Sequence, residues 1–113
     1  MNVKSIKYFL AICEDGTFTK AAAAKGISQP SLSLAIQRLE SELGGALFRR
    51  TAHAVVLTEL GNSLRPIFKK LVRCADQACK QAAALKRSSL PDKIGEVPVG
   101  VGPSNTRGVS AII

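Results

Sequence analysis

The stretch from Thr19 to Leu43 leaves this chain few local geometries. Thr19 to Lys25 is short, rich in alanine and closed by Gly26, which marks a brief helix. Ser28 then offers its side-chain oxygen to the open amides of a new helix, with Pro30 just behind that cap. Leu32, Ile36, Leu39 and Leu43 fall at i, i+4, i+7 and i+11, so one face of this helix is lined with large apolar groups until Gly44 and Gly45 end it. Two helices that cross at a tight turn need a small residue where they touch and a glycine where the backbone turns left-handed. Ala22 and Gly26 occupy those two places, and Ile27, Leu32, Ala35 and Ile36 fill the inward positions. The result is a helix-turn-helix whose outer face is left free.

The flanks complete a small domain around that unit. Val3, Ile6, Phe9, Leu10 and Cys13 recur at helical spacing between a capping Asn2 and a terminating Gly16, which predicts a helix over 3–14. Leu47–Arg50 and Ala54–Leu57 are strand-prone runs separated by Thr51-Ala52-His53, and they read as a hairpin wing. From Thr58 to Arg87 the chain is helical again, with Leu60, Leu64, Ile67, Leu71, Cys74, Ala78 and Leu85 on alternating steps of four and three, interrupted at Gln81. That seam calls for a partner, and a second copy of the chain is expected to supply it. Pro66 either kinks this helix or marks its true start.

The expected fold is therefore mainly α: a winged helix-turn-helix domain over 1–57, with three helices and a β-hairpin wing, followed by a long dimerisation helix over 58–87. Residues 88–93, with Ser88-Ser89-Leu90-Pro91-Asp92, have the composition of a hinge. Residues 94–113 read as the opening of a second domain cut short at Ile113, because the strand-like run Glu96–Val101 has nothing to pair with.

Charge narrows the partner. Residues 1–87 carry 14 of the 16 basic residues but 6 of the 8 acids, while 88–113 carry 2 of each, so the excess lies on the folded front part. Such a surface attracts polyanions, either nucleic acid or an anionic membrane face. No run approaches the roughly 18 apolar residues needed to span a bilayer, and the N-terminus lacks a signal-peptide layout, so a cytoplasmic protein is expected. Cys13, Cys74 and Cys79 match neither a zinc site nor a paired disulfide framework and are expected as reduced thiols in helices. One histidine and eight scattered acids provide no catalytic constellation, so neither enzymatic activity nor a metal or cofactor is expected in this stretch. A redox sensor built on Cys74 and Cys79 is the better rival, but five residues apart they point to different sides of a helix. An adaptor that uses residues 58–87 only as a coiled coil, without specific DNA binding, is the alternative from another class.

The outward residues of the third helix are Gln29, Pro30, Ser33, Leu34, Gln37 and Arg38. Glutamine can bond the edge of adenine, arginine the edge of guanine or a phosphate, and the apolar Pro30 and Leu34 can meet a thymine methyl. A polar outer face on a helix is usually just a solvated one. Here it coincides with a correctly spaced Ala and Gly, a capped third helix, a hairpin based on Arg49-Arg50 and a local basic excess. Double-stranded DNA is the expected partner, with Gln29, Pro30, Ser33, Leu34 and Gln37 at the bases and Lys20, Arg38, Arg49 and Arg50 supplying affinity.

The dense string Gly16-Thr17-Phe18-Thr19-Lys20-Ala21-Ala22, Ser28-Gln29-Pro30-Ser31-Leu32-Ser33, Leu39-Glu40, Glu42-Leu43-Gly44, Leu47-Phe48-Arg49-Arg50 and Leu57-Thr58-Glu59-Leu60-Gly61 resembles the N-terminal region of LysR-type regulators over about residues 1–87. The resemblance implies a linker helix that pairs antiparallel in a homodimer, an effector domain beyond it that takes a small molecule, and tetramers in the full chain. It further implies that Gln29, Pro30 and Ser33 face bases, that Thr19, Lys20 and Ser31 lie near phosphates, and that the wing reaches the minor groove. Three positions depart from the family pattern. Leu34 stands where many members carry arginine, which exchanges a guanine-reading fork for a methyl-seeking contact. Ala52-His53-Ala54 replaces a wing tip that is often arginine-rich, leaving Arg49, Arg50 and His53 to attract the minor groove. Lys25 sits where a leucine usually enters the core, so its stem has to snorkel past the turn at some cost in local stability.

Overall fold

In the computed structural model, residues 1–51, 54–87 and 99 are described. Among them the order is α1 (Val3–Asp15), α2 (Phe18–Lys25), α3 (Gln29–Leu43), β1 (Phe48–Arg50), β2 (Val55–Leu57) and α4 (Glu59–Arg87). The contacts divide the chain into two compact units, Met1–Cys79 and Lys80–Ile113, so most of α4 belongs to the front unit. In the second unit the described residues are the last turns of α4 and Val99. The expected hinge at 88–93, the start of a further domain apart from Val99, and the wing-tip residues Ala52 and His53 lie outside the described residues.

Each helix starts on a side-chain cap, which satisfies amides that the helix itself leaves open. Asn2 Oδ1 accepts from the Ser5 amide at 2.7 Å, Thr17 Oγ1 from Lys20 at 3.0 Å, Ser28 Oγ from Ser31 at 3.2 Å and Thr58 Oγ1 from Gly61 at 3.0 Å. Thr17, not named from the sequence, starts α2 one residue earlier than expected. The turn into α3 is closed as the spacing requires: Gly26 has φ of 68°, and the Ile27 amide reaches back to the Ala22 carbonyl at 3.0 Å.

Ile6, Phe9 and Ile12 from α1, Phe18, Ala21 and Ala22 from α2, and Leu32, Ile36 and Leu39 from α3 form the core, closed by Leu47 and Phe68. All four phenylalanines stand in one row. Phe18 meets Phe48 edge-on at 5.7 Å, Phe48 meets Phe9 at 5.2 Å, and Phe9 meets Phe68 edge-on at 5.4 Å between ring centres. Such tilted pairs add attraction beyond the area they bury.

The hairpin is antiparallel, with Phe48 opposite Leu57, Arg49 opposite Val56 and Arg50 opposite Val55. Leu47, expected to open the first strand, is instead a fully buried core residue just before it. A carboxylate ties the strand to the helix: Glu40 Oε2 accepts from the Leu47 amide at 2.6 Å and the Phe48 amide at 3.4 Å.

Helix α4 runs continuously through Pro66, so the alternative start at Pro66 does not hold. A cap at Thr58 that already closes the first turn makes the proline an interior residue. Its seam does not face outward along its whole length. Phe68 is buried, and Leu60, Leu64, Leu71 and Val72 pack against the chain's own core. Ile67, Cys74, Ala78 and Leu85 stay exposed.

The root of α4 lies so close to Leu47 that only glycine fits at position 61. A Cβ there would stand 2.3 Å from the Leu47 carbonyl oxygen and 2.9 Å from Leu57 Cδ2. Gly61→Ala is therefore expected to destabilise the domain by about 1–3 kcal/mol through overpacking. Urea unfolding checks this, and an unchanged midpoint would show that the backbone yields freely.

Candidate nucleic-acid interface

The N-terminal half of α3 is presented by the crossing of α2 and by the hairpin behind it. Gln29, Pro30, Ser31, Leu34, Gln37 and Arg38 are exposed, and Ser33 is half-buried. Leu34 is 46% exposed, more than a leucine kept for packing would be, and it leaves an apolar group among polar ones on that face.

Two side-chain bonds reach onto this face from neighbouring elements. Thr19 Oγ1, in the first turn of α2, donates to Gln29 Oε1 at 3.2 Å. Arg50 Nη2, at the end of β1, donates to Ser33 Oγ at 3.1 Å, while its guanidinium carbon stands 3.8 Å over the centre of the Phe18 ring. Phe18, Ser33, Ile36, Gln37, Glu40, Phe48 and Arg50 line a notch of about 190 Å³ between helix and strand. A third bond, from Ser28 Oγ to Ser31 Oγ at 2.9 Å, fixes the hydroxyl at the helix start.

The candidate residues thus fall into two arrangements. Gln29 with Thr19, and Ser33 with Arg50, are brought together across element boundaries. Lys20 on α2 and Arg49 on β1 are exposed, Arg49 on the face of the hairpin opposite the one that Arg50 turns to α3. Arg50, expected to supply affinity from the wing, is exposed and is held by the Phe18 ring and the Ser33 hydroxyl. Glu40 was not singled out from the sequence, since a half-buried carboxylate bonded to strand amides leaves no trace in the hydrophobic pattern. Its only signal is an acid on the inner side of α3, one step past Leu39.

Lys25 is exposed and lines a shallow cavity of about 420 Å³ with Lys7, Leu10, Ala11, Glu14, Asp15, Ala24 and Val72, so its head stays in water as the snorkel argument requires. Burial pushes the Cys13 thiol up from its ordinary value against the pull of Arg65 and Lys69, which keeps it protonated near neutrality. Cys74 and Cys79 are free and exposed. Among the described residues no group of three or more His, Cys, Asp or Glu could hold a metal ion, and no helix is long and apolar enough to cross a membrane.

Comparison with known proteins places this geometry. Residues 3–62 match the bacterial regulatory helix-turn-helix proteins of the lysR family. The transcriptional regulator BudR of Klebsiella aerogenes is 41% identical over 87 residues, which is 77% of this chain and 61% of BudR, so the chain spans less than two thirds of that relative. The DNA-binding domain of BenM, solved in complex with catB site 1 DNA, superposes with a TM-score of 0.73 at 35% identity, covering 80% of this chain and 100% of that one. Full-length OxyR from Pseudomonas aeruginosa superposes with a TM-score of 0.71 at 31% identity, over 74% of this chain and 28% of OxyR. With more than half its length inside the family match, and a solved domain covered end to end, this chain belongs to the LysR family of bacterial regulatory helix-turn-helix proteins.

Proposed function

We propose that the chain is the sequence-specific DNA-binding part of a cytoplasmic transcriptional regulator, with α3 in the major groove, the hairpin near the minor groove, and two copies joined through α4. The observation that carries this reading is the exposed face of α3, whose polar groups are held from behind by Thr19 and Arg50 in the same fold that BenM shows bound to DNA. Net charge of +8 supplies the phosphate attraction. Ile67, Cys74, Ala78 and Leu85, exposed on α4, supply the pairing surface. A regulator of this kind needs a further domain for a small-molecule effector, and residues 94–113 are its proposed beginning.

Base-edge contacts specify and phosphate contacts position, so two variants separate the roles. Gln29→Ala is expected to cost about 1–3 kcal/mol on the preferred duplex and little on random DNA. Arg49→Ala is expected to weaken both and to flatten the salt dependence by roughly one unit. Titration of preferred and scrambled duplexes at several salt concentrations checks both. An equal loss on the two duplexes for Gln29→Ala would remove α3 from the bases, and negligible binding to any duplex would favour an adaptor. Two copies place two α3 helices on one side of the duplex, so the preferred site is an inverted repeat with half-site centres about one helical turn, or a multiple, apart.

A further inference from the structure

We propose that Arg50 is a positioning residue for base reading: it fixes the Ser33 hydroxyl as a hydrogen-bond donor toward the groove instead of spending its charge on a phosphate. The inference rests on the reading of α3 as the helix that meets the bases.

A guanidinium has donors and no acceptor, so in the 3.1 Å contact between Arg50 Nη2 and Ser33 Oγ the hydroxyl oxygen must accept. One lone pair of Oγ is then committed to the inner side, and the hydroxyl proton turns away from the arginine. Ser33 lies one turn after Gln29 on α3, so its hydroxyl sits on the side of the helix that Gln29 shares, with its proton left free to be offered there. A serine left to itself reads any edge, because its hydroxyl can donate or accept. With one of its two lone pairs spent, it keeps its proton for acceptor edges, namely purine N7, guanine O6 or thymine O4, and has one fewer site for the cytosine amino group.

The arginine is itself fixed. Its guanidinium carbon lies 3.8 Å from the centre of the Phe18 ring, and Phe18 is 5% exposed and packed edge-on against Phe48, so the platform belongs to the core. Stacking and hydrogen bonding together need a flat, forked cation. Lysine keeps the charge but cannot stack in that plane while directing a donor sideways. Charge and geometry can therefore be separated by one substitution.

The test is selection of bound duplexes from a random pool by the full chain, by Ser33→Ala, by Arg50→Lys and by the double variant. Affinities follow at several salt concentrations, with thermal melting of each protein alongside. The native chain is expected to disfavour cytosine at one position per half-site on the strand facing Ser33. Ser33→Ala and Arg50→Lys should each lose preference at that same position and bind the native best duplex about tenfold more weakly, with the salt slope of Arg50→Lys unchanged. The double variant should be no worse than either single one, because both remove the same contact. An Arg50→Lys chain that selects the native sequence would show that charge suffices and overturn the proposal. So would additive losses in the double variant, a native preference for cytosine there, or an Arg50→Lys chain that melts far below the native one, which would assign the arginine to stability. A native chain that selects no sequence at all defeats the groove reading itself, and that result is separate from the others.

Discussion

Phe9→Ala is expected to lower the stability of the folded domain by about 3–5 kcal/mol, with the melting temperature falling on the order of 20 °C. Phe9 has no exposed surface, and its ring is the middle of the aromatic row, touching Phe48 of the hairpin on one side and Phe68 of α4 on the other. Removing it forfeits the transfer energy of the ring and leaves a space that three elements have to close at once. A domain of this size holds only about 5–15 kcal/mol in total, so much of the population would unfold near physiological temperature. Circular dichroism melting of Phe9→Ala and Phe9→Leu measures it. The leucine variant should retain a larger share of the stability, and a loss below about 1 kcal/mol in the alanine variant would mean that the core refills the space.

Ile67→Lys is expected to convert the proposed dimer into a monomer and to lower affinity for a two-half-site duplex by about 10²–10⁴, the advantage that linkage of two binding modules confers. Ile67 is 54% exposed on the outer side of α4, so a charge there leaves the domain itself intact while opposing any apolar pairing. Leu71, the more obvious choice from the heptad pattern, is the poorer probe, because it packs partly on the chain's own core and its loss would disturb both. Sedimentation at tens of micromolar, a working concentration suited to modest affinities, gives the mass. A dimer that persists in Ile67→Lys with its native melting temperature would place the pairing surface elsewhere.

Much of this architecture is legible in the sequence because local rules and the global pattern agree. Ala22, Gly26 and Ser28 mark the turn between α2 and α3, and the leucine-sized groups at 32, 36 and 39 identify the inner face, all by chemistry that acts within a few residues. The seam of α4 is legible only in part. Periodicity reveals that Leu60, Leu64, Ile67 and Leu71 are apolar and share a stripe, but whether a stripe meets its own domain or a second chain is decided in three dimensions. Phe68 settles it here, since its ring enters the core beside Phe9 and draws that stretch of α4 inward. The contacts that shape the candidate reading face were illegible for a related reason. Arg50 with Ser33 spans 17 positions and Glu40 with Leu47 spans 7, and each joins an element to one that follows it through a turn. A basic residue in a wing suggests a phosphate contact, and nothing in the local pattern reveals that Phe18 lies beneath Arg50.

The close approach at Gly61 has a mechanical consequence. From Glu59 to Val72, α4 runs roughly 20 Å at 1.5 Å per residue along the core, held at Phe68 as well as at its first turn. That first turn is clamped by Gly61 against the Leu47 carbonyl, by the Thr58 amide bonded to the same carbonyl at 3.0 Å, and by the Thr58 hydroxyl on the Ala46 carbonyl. These contacts on one stretch of backbone, together with Phe68 in the core, set the direction of the helix. Because that stretch runs directly into the hairpin, the hairpin and α4 share one anchor, and a substitution at Leu47 or Gly61 disturbs both at once.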